Sequence, residues 1–414
     1  MASPESAASR RAPGAPSRRG NRKESILAAA ALAFAERGYR QVGMEEIAAA
    51  VGVSGPALYR HFPSKYAVFA QCATSLTGDL LEEWPPAPLG VDLALPEHAL
   101  AHLDAVYTAL ARTTLRTRRS GSIYRWEGRY LAPEDRETVR LMFEEIIGRV
   151  AALIRSVRPE VSPADVDVLT AGSLSVVASL TAHGTSLPVA RITSLIVAAA
   201  TRAAFTRLTP PPAEDQPRPA ESTGDPEDPA RRSRRAVMLD SAVHQFSEVG
   251  FAEVTVEAIA AEAGLTPSGF YRHYASKSDV LLAACLQASE HLDAAVEASG
   301  FRGAPPDVAL DRLARAYVAH SFSHHEQMWV YYANVASLPE ADQARLRALQ
   351  REHVGLWVTL LRARDPGLGL PEARFLTMAA ISTVTDLGRR LRWRDDAGTR
   401  GRVHALITQV LASS

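Results

Sequence analysis

The sequence contains two copies of one short polar segment whose side chains are hydrogen-bond donors. Tyr59–His61 is followed by Lys65, and Tyr271–His273 is followed at the same spacing by Lys277. A phenol and an ammonium group can donate to phosphate oxygens, and a guanidinium can also make two hydrogen bonds to one base edge. The sequence therefore repeats one set of polar donors that packing alone does not demand.

Both segments belong to a longer repeat. The stretch from Arg22 to Phe69 recurs from Arg234 to Leu281 at one offset of 212 residues, without an insertion or deletion. The matched positions include glycines, aromatic residues and a Ser-Lys pair, which chance does not align over such a length. The period is too long for a solenoid, so the chain contains tandem domains.

The elements around each segment are predicted to be short helices. In the first copy apolar residues recur at helical spacing up to Phe34, and Gly38 then ends the helix. A second helix, Glu46–Val51, is followed by a tight turn at Gly52 and by a third helix capped by Ser54. This order is that of a helix-turn-helix, which places its second helix in the DNA major groove.

At these positions the chain resembles the TetR/AcrR family of one-component repressors, with two family units fused in tandem. The resemblance covers about 50 residues in each half. In the first copy it is carried by Gly38-Tyr39, Met44–Ala48, Gly52–Ser54, Leu58–Phe62 and Ser64-Lys65, and in the second by Gly250-Phe251, Thr255-Val256, Ile259-Ala260, Gly264–Thr266, Phe270–Tyr274 and Ser276-Lys277.

The resemblance, together with the turn, implies a set of DNA-contacting residues. These are Ser54, Gly55, Pro56, Ala57, Tyr59, Arg60, His61 and Lys65 in the first copy, and Thr255, Thr266, Pro267, Ser268, Tyr271, Arg272, His273 and Lys277 in the second. The tyrosines and lysines are similar to family residues that grip phosphates, contacts that fix register without reading sequence. Ser54 and Thr266 are expected to cap the recognition helices.

Two departures from the family pattern affect how DNA would be read. Thr255 stands where family members hold a phosphate, but the first copy has Gly43 there. The usual base-reading positions, Gly55–Ala57 and Pro267–Gly269, contain no Asn, Gln or Arg. We therefore expect specificity from Arg60 and Arg272, backbone approach, thymine methyl contacts and DNA shape, with basic arms in the minor groove. Those arms comprise Arg10, Arg11, Arg18, Arg19, Arg22 and Lys23 before the first copy and Arg231, Arg232, Arg234 and Arg235 before the second.

The rest of the chain also has helical periodicity, so the predicted fold class is all-α. The expected domains are a disordered basic arm at 1–20, DNA-binding domains at 21–68 and 231–280, effector-binding and dimerisation domains at 69–208 and 281–414, and a Pro-rich acidic linker at 209–230. The halves could form an intramolecular pseudo-dimer or a homodimer. The candidate interface helices are Ala164–Ala182 and Val189–Leu208 against Pro371–Arg392 and Arg400–Leu411.

Candidate effector-pocket residues are mostly aromatic and could equally be ordinary core. They are Tyr107, Tyr124 and Trp126 in the first half, and Tyr317, His320 and Tyr331 in the second. The effector is expected to be a small and possibly hydrophobic molecule, bound in two unequal pockets or in one functional pocket beside a vestigial one. His320 and His324 share a helical face, but without further ligands in register we predict neither a metal nor a cofactor.

Composition limits the remaining alternatives. The chain of 414 residues has 46 basic and 46 acidic residues and two cysteines, and its N-terminus contains no apolar signal segment. No apolar stretch approaches the roughly 20 residues of a membrane span, so a cytoplasmic location is expected. Enzyme motifs are absent. We interpret the sequence as a ligand-responsive repressor that binds a double-stranded operator; the alternative is an architectural protein that bridges two DNA sites without an effector.

Overall fold

The computed structural model describes residues 18–119, 128–208 and 233–412, and the regular structure within these ranges is helical, without strands. This confirms the predicted all-α class. The helices are α1 (Arg18–Arg37), α2 (Met44–Ala50), α3 (Gly55–Tyr59), α4 (Lys65–Glu82), α5 (Pro96–Arg116), α6 (Pro133–Val157), α7 (Pro163–Ala178), α8 (Val189–Ala204), α9 (Arg234–Glu248), α10 (Val256–Glu262), α11 (Pro267–Phe270), α12 (Lys277–Ala298), α13 (Pro306–Ser323), α14 (His325–Asn334), α15 (Glu340–Arg364), α16 (Leu370–Arg390) and α17 (Ala397–Leu411). The linker at 209–230 and most of the N-terminal arm lie outside the described residues.

The chain divides into two compact units. The first contains the described residues up to Leu76 and those within Arg119–Arg136; the second contains Thr77–Arg118 and the described residues from Glu137 onward. The first unit is therefore the first predicted DNA-binding domain with one added segment. The second unit holds the second predicted DNA-binding domain and most of both predicted effector-binding domains.

The first unit is built on aromatic packing between α1 and α4. Phe34 and Phe69 are fully buried, and their rings meet edge to face with centroids 5.6 Å apart. The added segment is joined to α4 through Tyr66. The Tyr66 hydroxyl donates to the carboxylate of Asp135 and accepts the backbone N–H of Ala132 at 2.8 Å. The first turn of α6 is thus hydrogen-bonded to the helix that follows the helix-turn-helix.

In the second unit, the helix-turn-helix has its own core, which includes Phe246, Phe270 and Val280. Helix α14 packs against α9 and α12 and contributes Val330 to this core. Apolar periodicity in the sequence predicts one amphipathic helix over Val308–His325, with no separate helix after it. The structure places a break at His324, which begins the new helix with φ −122° and ψ 33°.

Helices α7 and α8 of the first half pack against α16 and α17 of the second, and one hydrophobic core extends through both halves. Helices α7 and α17 approach so closely that a Cβ at Gly172 would lie 2.9 Å from Cδ2 of Leu406. Polar contacts cross the same surface: the Ser175 hydroxyl donates to Asp386 at 2.5 Å. The four helices named as interface candidates therefore lie together within one chain.

One segment within the described ranges, Pro163–Thr181, is long and apolar enough to cross a membrane. It consists of α7 and the short 3₁₀ turn that follows, and 61% of it is buried inside the fold. Its apolar character therefore has a packing explanation, because α7 contacts α5, α8 and α16.

Candidate nucleic-acid interface

Each helix-turn-helix turn is made by a glycine in the left-handed backbone region. Gly52 has φ +65° and Gly264 has φ +67°, and a Cβ at either position would meet no atom within 4 Å. Glycine is therefore required for backbone conformation and not for space. The turns close through equivalent hydrogen bonds, from Val53 N to the Ala48 carbonyl at 3.0 Å and from Leu265 N to the Ala260 carbonyl at 2.8 Å.

The recognition helices are short, and one buried side chain anchors each to its domain. Leu58 in α3 and Phe270 in α11 are completely buried. The Thr266 hydroxyl oxygen accepts the N–H of Gly269 at 3.2 Å, as expected of a capping residue. Ser54 occupies the equivalent N-cap position, but its side chain makes no capping hydrogen bond. The predicted cap is therefore present in the second copy only.

The predicted contact residues form an exposed face on each domain. The side chains of Tyr59 and Tyr271 are 53% and 57% exposed, although tyrosine usually buries its ring. The other fully exposed members are Ser54, Pro56, Arg60, Thr255, Thr266, Pro267, Ser268 and Arg272, while Gly55, Ala57, His61 and His273 are half-buried. An exposed tyrosine next to an exposed arginine thus occurs twice.

The two lysines occupy a different environment from the one predicted. Lys277 Nζ donates to the carbonyls of Val254 at 2.6 Å and Phe251 at 2.7 Å, and it lies over the Phe251 ring. Lys65 Nζ donates to the Tyr39 carbonyl at 3.1 Å. Burial lowers the pKa of both ammonium groups. Through these hydrogen bonds, Lys65 connects the start of α4 to the segment after the first helix of its domain, and Lys277 does the same at the start of α12. The ammonium groups therefore point at backbone carbonyls and not outward towards a phosphate.

A second repeated cation contact was not foreseen from the sequence. Lys23 lies over the ring of Phe62, with Nζ 5.5 Å from its centroid, and Arg235 lies over the ring of Tyr274 at 4.4 Å. Arg235 also donates from Nη1 to the His273 carbonyl at 3.0 Å. Lys23 and Arg235 are 212 residues apart, and so are Phe62 and Tyr274. The repeat offset was therefore the signal in the sequence that could have revealed this contact. The first helix of each domain therefore brings a basic side chain to the end of the recognition segment.

Thr255 caps α10 by accepting the N–H of Ala258 at 3.1 Å. A threonine hydroxyl that accepts in this way retains its own proton for a further hydrogen bond. Gly43 begins α2 without any side-chain cap. The two domains therefore differ at this point in the hydrogen-bond donor that they offer.

The candidate effector residues separate into core and cavity positions. Tyr107 is fully buried and donates to the Ser173 hydroxyl at 2.7 Å, and Tyr317 is also fully buried. Neither lines the cavity of about 270 Å³ beside Phe143 or the smaller cavity, of about 40 Å³, beside Met328. Tyr331 borders the smaller cavity and donates to the Leu346 carbonyl. Tyr124 and Trp126 lie outside the described residues.

His320 belongs to a buried group of imidazoles. It is 4% exposed, its ring stacks on His324 with centroids 4.4 Å apart, and its Nε2 has no hydrogen-bond partner among the described residues. Burial and the neighbouring histidines lower its pKa to about 4. Within the described part of the chain no group of three or more His, Cys, Asp or Glu has an arrangement that could hold a metal ion.

The comparisons with known proteins agree with this geometry. Residues 26–72 and 238–284 both match the sequence profile described as bacterial regulatory proteins, tetR family. The HTH-type transcriptional activator FasR of Mycolicibacterium smegmatis (strain ATCC 700084 / mc(2)155) is 44% identical over 63 residues, 14% of this chain and 29% of FasR. The chain therefore spans less than a third of the length of that relative.

Solved structures cover one half of the chain at a time. The TetR family regulator PfmR from Thermus thermophilus is 24% identical, with a TM-score of 0.37 over 41% of this chain and 96% of PfmR. A TetR-family regulator from Bordetella parapertussis 12822 is 18% identical, with a TM-score of 0.39 over 42% and 93%.

A duplicated helix-turn-helix with an exposed recognition face defines a class of protein with two nucleic-acid-binding domains. We call each of these helix-turn-helix domains a head. The two profile matches, at residues 26–72 and 238–284, show two segments of the tetR type of bacterial regulatory proteins in tandem in one chain. This confirms the tandem arrangement expected from the sequence.

Proposed function

We propose that the chain is a ligand-responsive transcriptional repressor whose two heads bind one double-stranded operator. The observation that carries this proposal is the repeated pair of exposed side chains, Tyr59 with Arg60 and Tyr271 with Arg272. Packing does not require an exposed phenol beside an exposed guanidinium, and both can donate to DNA. Thr255 adds a hydroxyl proton for a phosphate in the second head only.

The proposal includes an intramolecular pseudo-dimer. Its support is the packing of α7 and α8 on α16 and α17, which buries apolar surface from both halves in one core. Ion pairs add to this packing. Arg390 binds Asp167 at 2.5 Å and Glu144 at 3.1 Å, and Arg191 binds Glu372 at 2.5 Å. A single chain would then present two heads, as a dimer of single-headed chains would.

Ligand response requires a link between a binding site and a head. Helix α6 provides one in the first half, because Asp135 in its first turn is hydrogen-bonded to Tyr66 and Phe143 further along borders a cavity. A ligand that moves the first turn of α6 would move Asp135, and with it the hydrogen bond to Tyr66. Allostery of this kind needs the ligand to bind one arrangement more tightly than the other.

The test uses the full chain and a labelled duplex from the region upstream of its own gene. Double alanine variants of Tyr59 with Arg60, and of Tyr271 with Arg272, disable one head each. The proposal predicts footprint protection by the native chain, which each variant loses in one half of the site. Binding of each head to separate duplexes, with no protection of one composite site, would instead indicate the architectural alternative.

A further inference from the structure

The helices that pack together between the halves are two copies of one surface. Equivalent helices begin or end at residues that are 207 positions apart, namely Pro133 and Glu340, Pro163 and Leu370, and Ala204 and Leu411. Identical residues at the same offset include Leu169 and Leu376, Thr170 and Thr377, Ser175 and Ser382, and Leu180 and Leu387. Helices α7 and α8 of the first half therefore correspond to α16 and α17 of the second.

Two copies of one surface could each pair with a further copy of themselves. A symmetric homodimer uses the same patch on both subunits, so each of its contacts occurs twice. In this chain α7 contacts α17, and the equivalent helices α16 and α8 are also in contact. The contacts in a pair of identical halves can therefore be obtained by replacing each residue with its equivalent.

Side-chain sizes differ between the two copies. Gly172 of α7 faces Leu406 of α17, where an added Cβ would lie 2.9 Å from Cδ2 and 3.0 Å from Cδ1 of the leucine. Their equivalents are Ala379 and Ala199, both fully buried. A pair of second halves would bring Ala379 against Leu406 and place a Cβ where none fits. A pair of first halves would bring Gly172 against Ala199 and leave a void.

The charges across the contact differ as well. Arg390 of α16 donates two hydrogen bonds to Asp167 of α7, from Nη2 at 2.5 Å and from Nε at 3.2 Å, and Nη1 donates to Glu144 of α6 at 3.1 Å. The equivalents of Asp167 and Glu144 are Arg374 and Arg351, and both are exposed. A pair of second halves would therefore place Arg390 opposite two further arginines. Like charges that face one another across a contact oppose association.

His183 is the equivalent of Arg390. Burial, with Arg118 and Arg374 nearby, lowers its pKa to about 3. His183 thus lies near Arg374, just as Arg390 lies near Asp167, so both equivalent contacts are formed between the halves. A pair of first halves would offer Asp167 an imidazole in place of the guanidinium, and the forked pair of hydrogen bonds would be lost.

We infer that the surface between the halves is selective: α7 and α8 accept α16 and α17, and each of the two surfaces disfavours a second copy of itself. Size and charge act in the same direction, because a pair of second halves would have both a steric overlap and facing arginines. The partner that fits each half is the other half. The inference rests on the pseudo-dimer of the proposed function and names the residues that select it.

A double-mutant cycle in the full chain tests the size relation, with the urea midpoint followed by circular dichroism. Gly172→Ala should lower the midpoint in the native chain but raise it in a Leu406→Ala chain, because the added Cβ then has room and alanine favours a helix more than glycine does. Gly148→Ala, on α6 where a Cβ meets no atom, is the matched control and should raise the midpoint in both chains. The same sign for Gly172→Ala in both chains would overturn the inference. Should Leu406→Ala not fold, Leu406→Val replaces it, since valine also lacks the Cδ atoms.

An exchange of charges between the halves tests the charge relation. The exchanged chain carries Glu144→Arg, Asp167→Arg, Arg351→Glu and Arg374→Asp, so its net charge is unchanged. Arg390 then meets the introduced arginines within its own chain and the introduced carboxylates in a second copy. Sedimentation velocity over a roughly hundredfold range of concentration should show a monomer for the native chain and a concentration-dependent dimer for the exchanged chain. A native dimer, or an exchanged chain that stays monomeric, would overturn the inference.

The matched control for this test keeps the ion pairs but reverses their signs. Glu144→Arg, Asp167→Arg and Arg390→Glu together retain opposite charges between the halves, so this chain should stay monomeric. Should the exchanged chain not fold, urea midpoints replace sedimentation. Glu144→Arg with Asp167→Arg should then lower the midpoint, and the addition of Arg390→Glu should raise it again. No recovery in the triple variant would contradict the selectivity.

Operator binding by the same proteins is measured separately. A native chain that protects one composite operator but fails these tests leaves the regulator proposal intact and removes this inference. A native chain that passes them without binding DNA leaves the selective surface intact and contradicts the proposed function.

Discussion

Arg60 and Arg272 are the residues on which we expect base discrimination to depend. Each is exposed beside an exposed tyrosine, while the usual base-reading positions, Gly55–Ala57 and Pro267–Gly269, hold only small or proline residues. Arg272→Ala should reduce discrimination at a few base pairs by about 1–3 kcal/mol. Tyr271→Phe removes one donor and should weaken binding to all sequences equally. Fluorescence anisotropy with single-base operator variants distinguishes these two effects. An equal loss of affinity for all operator variants in Arg272→Ala would count against base reading by Arg272.

Lys277 is expected to stabilise its domain more than it contributes to DNA affinity. Lys277→Met keeps an apolar chain but leaves the carbonyls of Phe251 and Val254 without the ammonium. We expect a loss of about 1–2 kcal/mol in the free energy of unfolding, because hydrogen bonds to a charged donor are worth this much when part-buried. Urea denaturation measures it. Unchanged stability with a flatter salt dependence of DNA binding would restore the phosphate role.

Sequence reasoning located the contact residues but not all of their partners. The constant offset identified both helix-turn-helix copies and the exposed tyrosine-arginine pairs. The carbonyls around Lys277 could not be foreseen, since they depend on how the segment after α9 folds back. Ser54 has the right residue type for a cap, and only its side-chain geometry distinguishes it from Thr266.

At the scale of helices, the two halves pack closely at Gly172 of α7. Gly172→Val should destabilise the chain by about 1–3 kcal/mol, because its side chain would press against Leu406 of α17. Gly148→Ala is the matched control on exposed α6, where a Cβ meets no atom, and should stabilise by about 0.5–1 kcal/mol. Thermal unfolding compares them. Equal changes in stability in the two variants would show that the packing of α7 on α17 does not limit the size of the side chain at position 172.

The helices of the second effector domain bury histidines whose pKa values lie far below that of a free imidazole. The pKa is about 4 for His320 and for His353, with burial as the main cause. Below about pH 6.5 the unfolded chain binds protons that the folded chain does not, so stability should fall between about pH 6.5 and 4. The groups around His320 are His291, His324 and His353.

His320→Leu tests this pH dependence. The substitution removes a titrating group that has no hydrogen-bond partner at Nε2 among the described residues. Urea unfolding at pH 7.5 and pH 5 should show a smaller loss of stability in the variant than in the native chain. Identical losses would show that His320 keeps an ordinary pKa.

Periodicity predicted most helices well because each buries one apolar stripe. For example, apolar periodicity predicts a helix over Pro133–Val157, and α6 has these bounds in the structure. Helix α14 was missed because a break inside an apolar stretch depends on local backbone geometry at His324. The cavity beside Phe143 was not predicted from the sequence either. Its walls are mostly aliphatic residues without a chemical signature, and Asp386 reaches it from the other half of the chain.

For the whole molecule, the two reading surfaces differ. The first head presents Gly55–Ala57 at the positions where the second presents Pro267–Gly269, and only the second has Thr255. Two diverged heads in one chain have no need of a palindrome. We therefore expect an operator whose half-sites differ in sequence, which selection from a randomised duplex library can determine; recovery of symmetric half-sites would contradict this expectation.

The central claim is that one chain supplies both heads to one operator. Sedimentation velocity of the full chain with a short operator duplex measures it, together with variants in which Tyr59 and Arg60, or Tyr271 and Arg272, are replaced by alanine. The account predicts that each duplex is bound through both heads of the same chain, so that disabling either head weakens binding. A palindromic duplex bound by two chains through one head each, with the other head dispensable, would contradict it.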